Sequence, residues 1–160
     1  DFTTGLNFSN PPLDTRAITE FQKLVNNIQY QQSNSPWLDH AYYYIGVIYR
    51  QNAQAAIINS DKQTAFNLAL NNFNSVVTKF TTRSFFDDAA TKIAQVYHDT
   101  LVGFCTEEIN WYSYVQSKAL DSILKNNATT HLAELQAIPV LNHDCTALPI
   151  MTIDIITAPL

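Results

Sequence analysis

Glycine is nearly missing from this chain: three in 160 residues, at Gly5, Gly46 and Gly103. They lie too far apart to form a loop that cradles phosphate. Charge is also scarce. Asp, Glu, Lys and Arg make up 14%, against about 25% in an ordinary domain. The nine basic residues form no stripe, and the formal net charge is -5. Nucleic acid and anionic lipid are thereby set aside as main partners. No apolar run approaches the roughly 20 residues of a membrane span, and no signal peptide is recognisable. The first residue is Asp1 rather than methionine, which leads us to expect a processed, exported chain, extracellular or periplasmic. There are two cysteines, Cys105 and Cys145. Bridged, they would close a loop of about 40 residues, worth about 4 kcal/mol in the chain-entropy model. In an exported protein a disulfide is the expected state.

What remains is mostly helical in rhythm. Residues 13–30 carry Ile18, Phe21, Leu24, Val25 and Ile28 on one face. Ser35-Pro36 opens a second helix, apolar almost all round, through "WLDHAYYYIGVIYRQNAQAAII". Ser60 with Gln63 has the spacing of a capping box before a third helix bearing Phe66, Leu70, Phe73, Val76, Val77 and Phe80. Ser84 with Asp87 starts a fourth, and Thr106 a fifth whose stripe runs Ile109, Tyr112, Val115, Ala119, Ile123 to a stop at Asn126-Asn127. A short helix over 130–137 is expected to follow. The two ends differ. "DFTTGLNF" alternates Phe2, Thr4, Leu6, Phe8 against polar residues, and "IMTIDIIT" near the C-terminus is largely β-branched. The expected organisation is an extended arm over 1–12, a helical domain over 13–138 and an extended, β-like tail over 139–160.

Two stretches of the middle repeat each other. "AITEFQKLV" aligns with "LNNFNSVV", and "WLDHAYYYIGVIY" with "FFDDAATKIAQVY". Asp39 matches Asp87, Ala41 matches Ala89, Ile45-Gly46 matches Ile93-Ala94, and Tyr49 matches Tyr97. This pattern of small residue, aliphatic residue and tyrosine resembles the tetratricopeptide repeat, and its style is similar to envelope-associated tetratricopeptide proteins of Gram-negative bacteria. The displacement of 48 to 52 positions exceeds the usual period of about 34, because residues 50–64 lengthen the hairpin, and the repeat-ending proline is missing. The resemblance implies an all-α solenoid of antiparallel hairpins in which Gly46 and Ala94 admit close helix contact. It also implies a scaffold that binds protein rather than an enzyme.

The chemistry-bearing residues read mostly as structure. Asp87-Asp88 and Glu107-Glu108 fall in first turns, where carboxylates answer the helix dipole. His143, Asp144 and Cys145 crowd together, but local His-x-Cys spacing with no second cluster leads us to expect no metal and no cofactor. No nucleophile elbow is present. Trp111 and Tyr114 fall off their helix stripe and are candidates for an interface, while Tyr42, Tyr43 and Tyr44 are expected to pack between helices. Asn7 and Asn127 head glycosylation sequons.

The apolar ends then carry the functional expectation. Phe2, Leu6 and Phe8 in the arm, with Leu148, Ile150, Met151, Ile153, Ile155 and Ile156 in the tail, are candidate assembly residues. They would join copies of the chain head to tail into an extracellular filament. A periplasmic adaptor that binds a partner peptide is the alternative, and a small hydrolase or metal protein the third.

Overall fold

The apolar stripe of the first helix does fold as a helix, but a shorter one than the sequence suggests. In a computed structural model that describes residues 15–137 and 143–159, α1 spans Thr15–Val25 and buries Ala17, Ile18, Phe21, Leu24 and Val25. Asn26 and Asn27 interrupt it: the Asn27 side chain accepts from the amides of Gln29 and Tyr30 and starts the single turn α2, Ile28–Gln32. Ile28 is consequently exposed. The arm residues Phe2, Leu6, Asn7 and Phe8 lie outside the described residues.

Five further helices follow: α3 Leu38–Ala55, α4 Asn59–Lys79, α5 Phe86–Asp99, α6 Cys105–Lys118 and α7 Ser122–Gln136. Each long helix packs on the next, and α3 also touches α5 as α5 touches α7. This is the neighbour pattern of stacked hairpins in a helical-repeat fold. The described chain is therefore all-α with seven helices. No helix among the described residues is long and apolar enough to cross a membrane.

The repeat seen in the sequence reappears as matched burial. Phe21 and Phe73, Ala41 and Ala89, Ile45 and Ile93, and Val25 and Val77 are all buried. Gly46 matters for a steric reason. A Cβ there would stand 2.6–2.9 Å from three ring atoms of Phe73, so α3 and α4 can meet at this distance only without a side chain. The aspartates at matching positions both tie down a loop two helix ends away. The carboxylate of Asp87 accepts from the amides of Leu120 and Asp121 at 2.7 and 3.2 Å. Fully buried Asp39 lies 3.5 Å from the Arg83 guanidinium, which also donates to the carbonyls of Ser35 and Asn34. Arg50 adds a fork from α3 to α5, with Nε and Nη2 on the Asp99 carboxylate at 2.6 and 3.1 Å.

Two helix boundaries correct the sequence reading. The break comes at 119–121 rather than at Asn126-Asn127. Asp87 removes two amides from the end of α6, and Asp121 then caps α7 by accepting from Ile123 and Leu124. Ile123 belongs to α7 and is exposed, and the two asparagines sit inside that helix with Asn127 on its surface. The expected capping box at Ser60 and Gln63 does not form either. Ile58 is the N-cap residue and makes no side-chain bond; Gln63 is used elsewhere, as described below.

The β-like reading of the C-terminal segment is the larger correction. Among the described residues there is no strand, only a single parallel bridge between Val102 and Asp144. The tail is extended, but side chains rather than another strand take its backbone hydrogen bonds.

Candidate functional site

The tail leaves the helical body at a tight knot. Cys105 and Cys145 are joined, with Cα atoms 5.6 Å apart, so the sequence expectation of a disulfide holds. Around it the Gly103 amide donates to the Asp144 carbonyl and the Asp144 amide to the Leu101 carbonyl, both at 2.8 Å. Leu101, Gly103 and Phe104 all adopt positive φ. Only one is glycine, and for a reason: a Cβ on Gly103 would meet Pro149 Cγ at 2.6 Å. A strained loop is thus held closed by the disulfide and by the first residues of the tail.

Past Pro149, residues 151–156 lie along the helices. The Thr152 amide donates to Gln63 Oε1 at 2.8 Å. Asn67 grips two residues at once, donating through Nδ2 to the Thr152 carbonyl at 3.2 Å and accepting from the Asp154 amide at 2.9 Å. The Tyr97 hydroxyl donates to the Asp154 carbonyl at 2.6 Å and accepts from the Ile156 amide at 2.8 Å. The Trp111 indole donates to the Ile156 carbonyl at 2.6 Å. Residues from α4, α5 and α6 therefore satisfy both backbone groups of every second tail residue, the i, i+2, i+4 spacing of one edge of an extended chain. Recognition runs through the backbone. The side chains of Met151 and Ile153 fill the core beneath, while Leu148, Ile150 and Ile155 are 87%, 64% and 57% exposed.

Alternation turns the N–H and C=O of Met151, Ile153 and Ile155 to the opposite edge. These groups meet no hydrogen-bond partner among the described residues. Beyond Ile156 the tail reaches Pro159, which lines an open groove of about 760 Å³ with Val77, Phe86, Tyr114 and Lys118.

Burial pushes the Tyr97 hydroxyl up to about 12, opposed by its bond to the Ile156 amide. It stays a neutral phenol, able both to donate and to accept. Burial raises the Tyr43 and Tyr112 hydroxyls as well. Tyr42, Tyr43 and Tyr44 pack against Phe80, Phe85 and Phe21, as helix-packing residues should. Trp111 corrects its expectation of surface exposure. It is fully buried and its partner is the chain's own tail. Tyr114 is half-buried, edge-on to Trp111 and Phe86.

Sequence reasoning missed a polar cluster beside the disulfide. By its position Glu108 is a first-turn carboxylate, yet it is completely buried. Its Oε1 lies 2.9 Å from His98 Nδ1 on α5, and its Oε2 lies 2.9 Å from His143 Nδ1 at the root of the tail. His143 Nε2 donates to the Gly103 carbonyl at 2.6 Å. Burial raises the Glu108 carboxyl, and its close contacts with the His143 and His98 rings outweigh that and hold it below its ordinary range. The bond to Glu108 raises His98. Spacing gave no sign of this cluster: its members are 10 and 35 positions apart, and the tail's path brings them together.

No protein-family model matches the chain, and no curated protein or solved structure is significantly similar to it.

Proposed function

We propose that this protein is a non-enzymatic, tetratricopeptide-like subunit that assembles with copies of itself, through its extended ends, into an extracellular filament. The observation that carries the reading is the half-satisfied tail. One backbone edge of residues 151–156 is bound by Gln63, Asn67, Tyr97 and Trp111. The other edge has no partner among the described residues, and three large apolar side chains of the tail stand in solvent. An edge of this kind accepts an added strand. The arm of another copy, with Phe2, Leu6 and Phe8 at strand period, has the right pattern to supply it. Arm and tail edge are different surfaces, so the contact is head to tail and propagates. The low charge of the body limits repulsion between stacked copies, and the disulfide suits an oxidising compartment outside the cytoplasm.

The test compares the intact chain with variants lacking residues 1–10 or 147–160, by negative-stain microscopy and sedimentation. Filaments from the intact chain and dispersed subunits from both truncations are expected. Intact chain that stays monomeric at every concentration would refute the reading.

A second reading has its own support. A helical face that holds extended backbone through Asn67 and Tyr97 would serve an adaptor binding a partner peptide, with the tail as its resident occupant. A synthetic peptide of residues 148–158 that binds the tail-deleted protein, without any filament from the intact chain, would favour it.

A further inference from the structure

The cluster at the root of the tail holds two buried polar atoms, Glu108 Oε2 and His143 Nδ1, that the assembly reading leaves unused. The Gly103 carbonyl can only accept, so His143 Nε2, 2.6 Å away, carries a proton and donates it there. Its other nitrogen, Nδ1, lies 2.9 Å from Glu108 Oε2. Both atoms are buried, and neither has an aligned hydrogen bond. His98 Nδ1 approaches the other carboxylate oxygen, and the two imidazole rings stand nearly perpendicular, 84° apart. Two imidazole nitrogens and one carboxylate thus converge, all within 4.8 Å of one another. A cation between them would give these buried atoms a partner.

We propose that His98, Glu108 and His143 bind one divalent transition-metal ion of the zinc class. Two histidines and a glutamate from three separate segments are a recurrent donor set for zinc, which leaves a fourth position for water. The bond from His143 Nε2 to a backbone carbonyl is the outer contact that fixes a ligating imidazole in its tautomer. A tetrahedral ion about 2.1 Å from each donor sets donor pairs about 3.4 Å apart. Glu108 then ligates through one oxygen, whose 2.9 Å contact with its imidazole must open by about 0.5 Å. His98 is the half-exposed member, and it gives an ion and its water a way in from solvent. The ion would link α5, α6 and the tail next to the disulfide, as a second clasp on the segment that presents the tail.

The proposal is tested on the intact, oxidised protein, stripped with chelator and titrated with zinc chloride in a calorimeter, with cobalt(II) absorption as a second readout. One ion per chain is expected, with a four-coordinate cobalt spectrum. His98→Ala should weaken binding at least tenfold while leaving the helical circular dichroism unchanged. His131→Ala, on the surface of α7, should leave binding alone. If Glu108→Gln fails to fold, His98→Ala still decides the matter. Three results would overturn the proposal: no binding at micromolar zinc, binding unaffected by His98→Ala, or binding that appears only after the disulfide is reduced and is lost in Cys105→Ser. The last would assign the ion to the thiols.

Discussion

Tyr97→Phe removes one oxygen atom and should loosen the tail without disturbing the helices. The balance that holds residues 151–156 is nearly even. Burying Met151 and Ile153 contributes about 2 kcal/mol each, and six hydrogen bonds from the helices contribute about 1 kcal/mol apiece. Ordering six residues costs about 1.5 kcal/mol each. Favourable terms of about 10 kcal/mol thus face a cost of about 9, so small losses show. The Tyr97 hydroxyl makes two of the six bonds, to the Asp154 carbonyl and the Ile156 amide. Its loss should cost the docked tail about 1–3 kcal/mol, or about 5- to 150-fold in the opening equilibrium. Amide exchange followed by NMR reads this residue by residue. In the dispersed parent protein, the amides of Thr152, Asp154 and Ile156 should be protected, and those of Met151, Ile153 and Ile155 should exchange faster. In Tyr97→Phe the protected set should lose most of its protection, with helix amides and melting temperature little changed. Equal protection of odd and even amides in the dispersed parent, or no change in the variant, would refute the reasoning.

Other consequences follow from the same contacts. Gly46→Ala should lower the melting temperature. The gain of roughly 1 kcal/mol in helix propensity is outweighed by overpacking of about 1–3 kcal/mol, because Phe73 is fully buried and its ring has nowhere to go. Raising the pH should release the tail. The folded state holds the Tyr97 proton to about pH 12, above the ordinary phenol value of about 10. The stabilisation it contributes is complete below the ordinary value and is lost as pH rises through the folded one. Ultraviolet titration should show this tyrosine ionising late, together with loss of protection at Ile156; early ionisation would contradict the geometry. Replacing Cys105 and Cys145 by serine should cost about 2–5 kcal/mol, seen in urea unfolding. The effect should reach Leu101 to Phe104, where positive φ depends on a closed knot; an unchanged midpoint would remove the disulfide from the account.

Local pattern revealed much of the body. The apolar period located α1, α3, α4 and α5, and the matched pairs Phe21 with Phe73 and Ile45 with Ile93 are all core residues. Even the need for glycine at position 46 could be read, since a small residue recurs at that point of the repeat. Longer-range side chains defeated the reading. Asp87 ends α6 from 33 residues away, and nothing near Leu120 announces that. Gln63 has the spacing of a cap but binds Thr152, 89 residues on. The tail was legible as extended and apolar, yet its partners are an asparagine, a glutamine, a tyrosine and a tryptophan on three helices. A strand normally calls for another strand, and pattern alone gave no sign that helix side chains would hold one edge of the tail. Glu108 shows the same limit: a carboxylate in a first turn has an adequate local explanation until His98 and His143 arrive through the fold.

The most direct test of assembly through the tail is amide exchange at Met151, Ile153 and Ile155 in assembled and dispersed material at equal protein concentration, with short peptic fragments or NMR to separate them from their neighbours. An added strand should protect these three amides in the assembled state alone, with Thr152, Asp154 and Ile156 protected in both. Fast exchange at the odd amides inside intact assemblies would contradict the account.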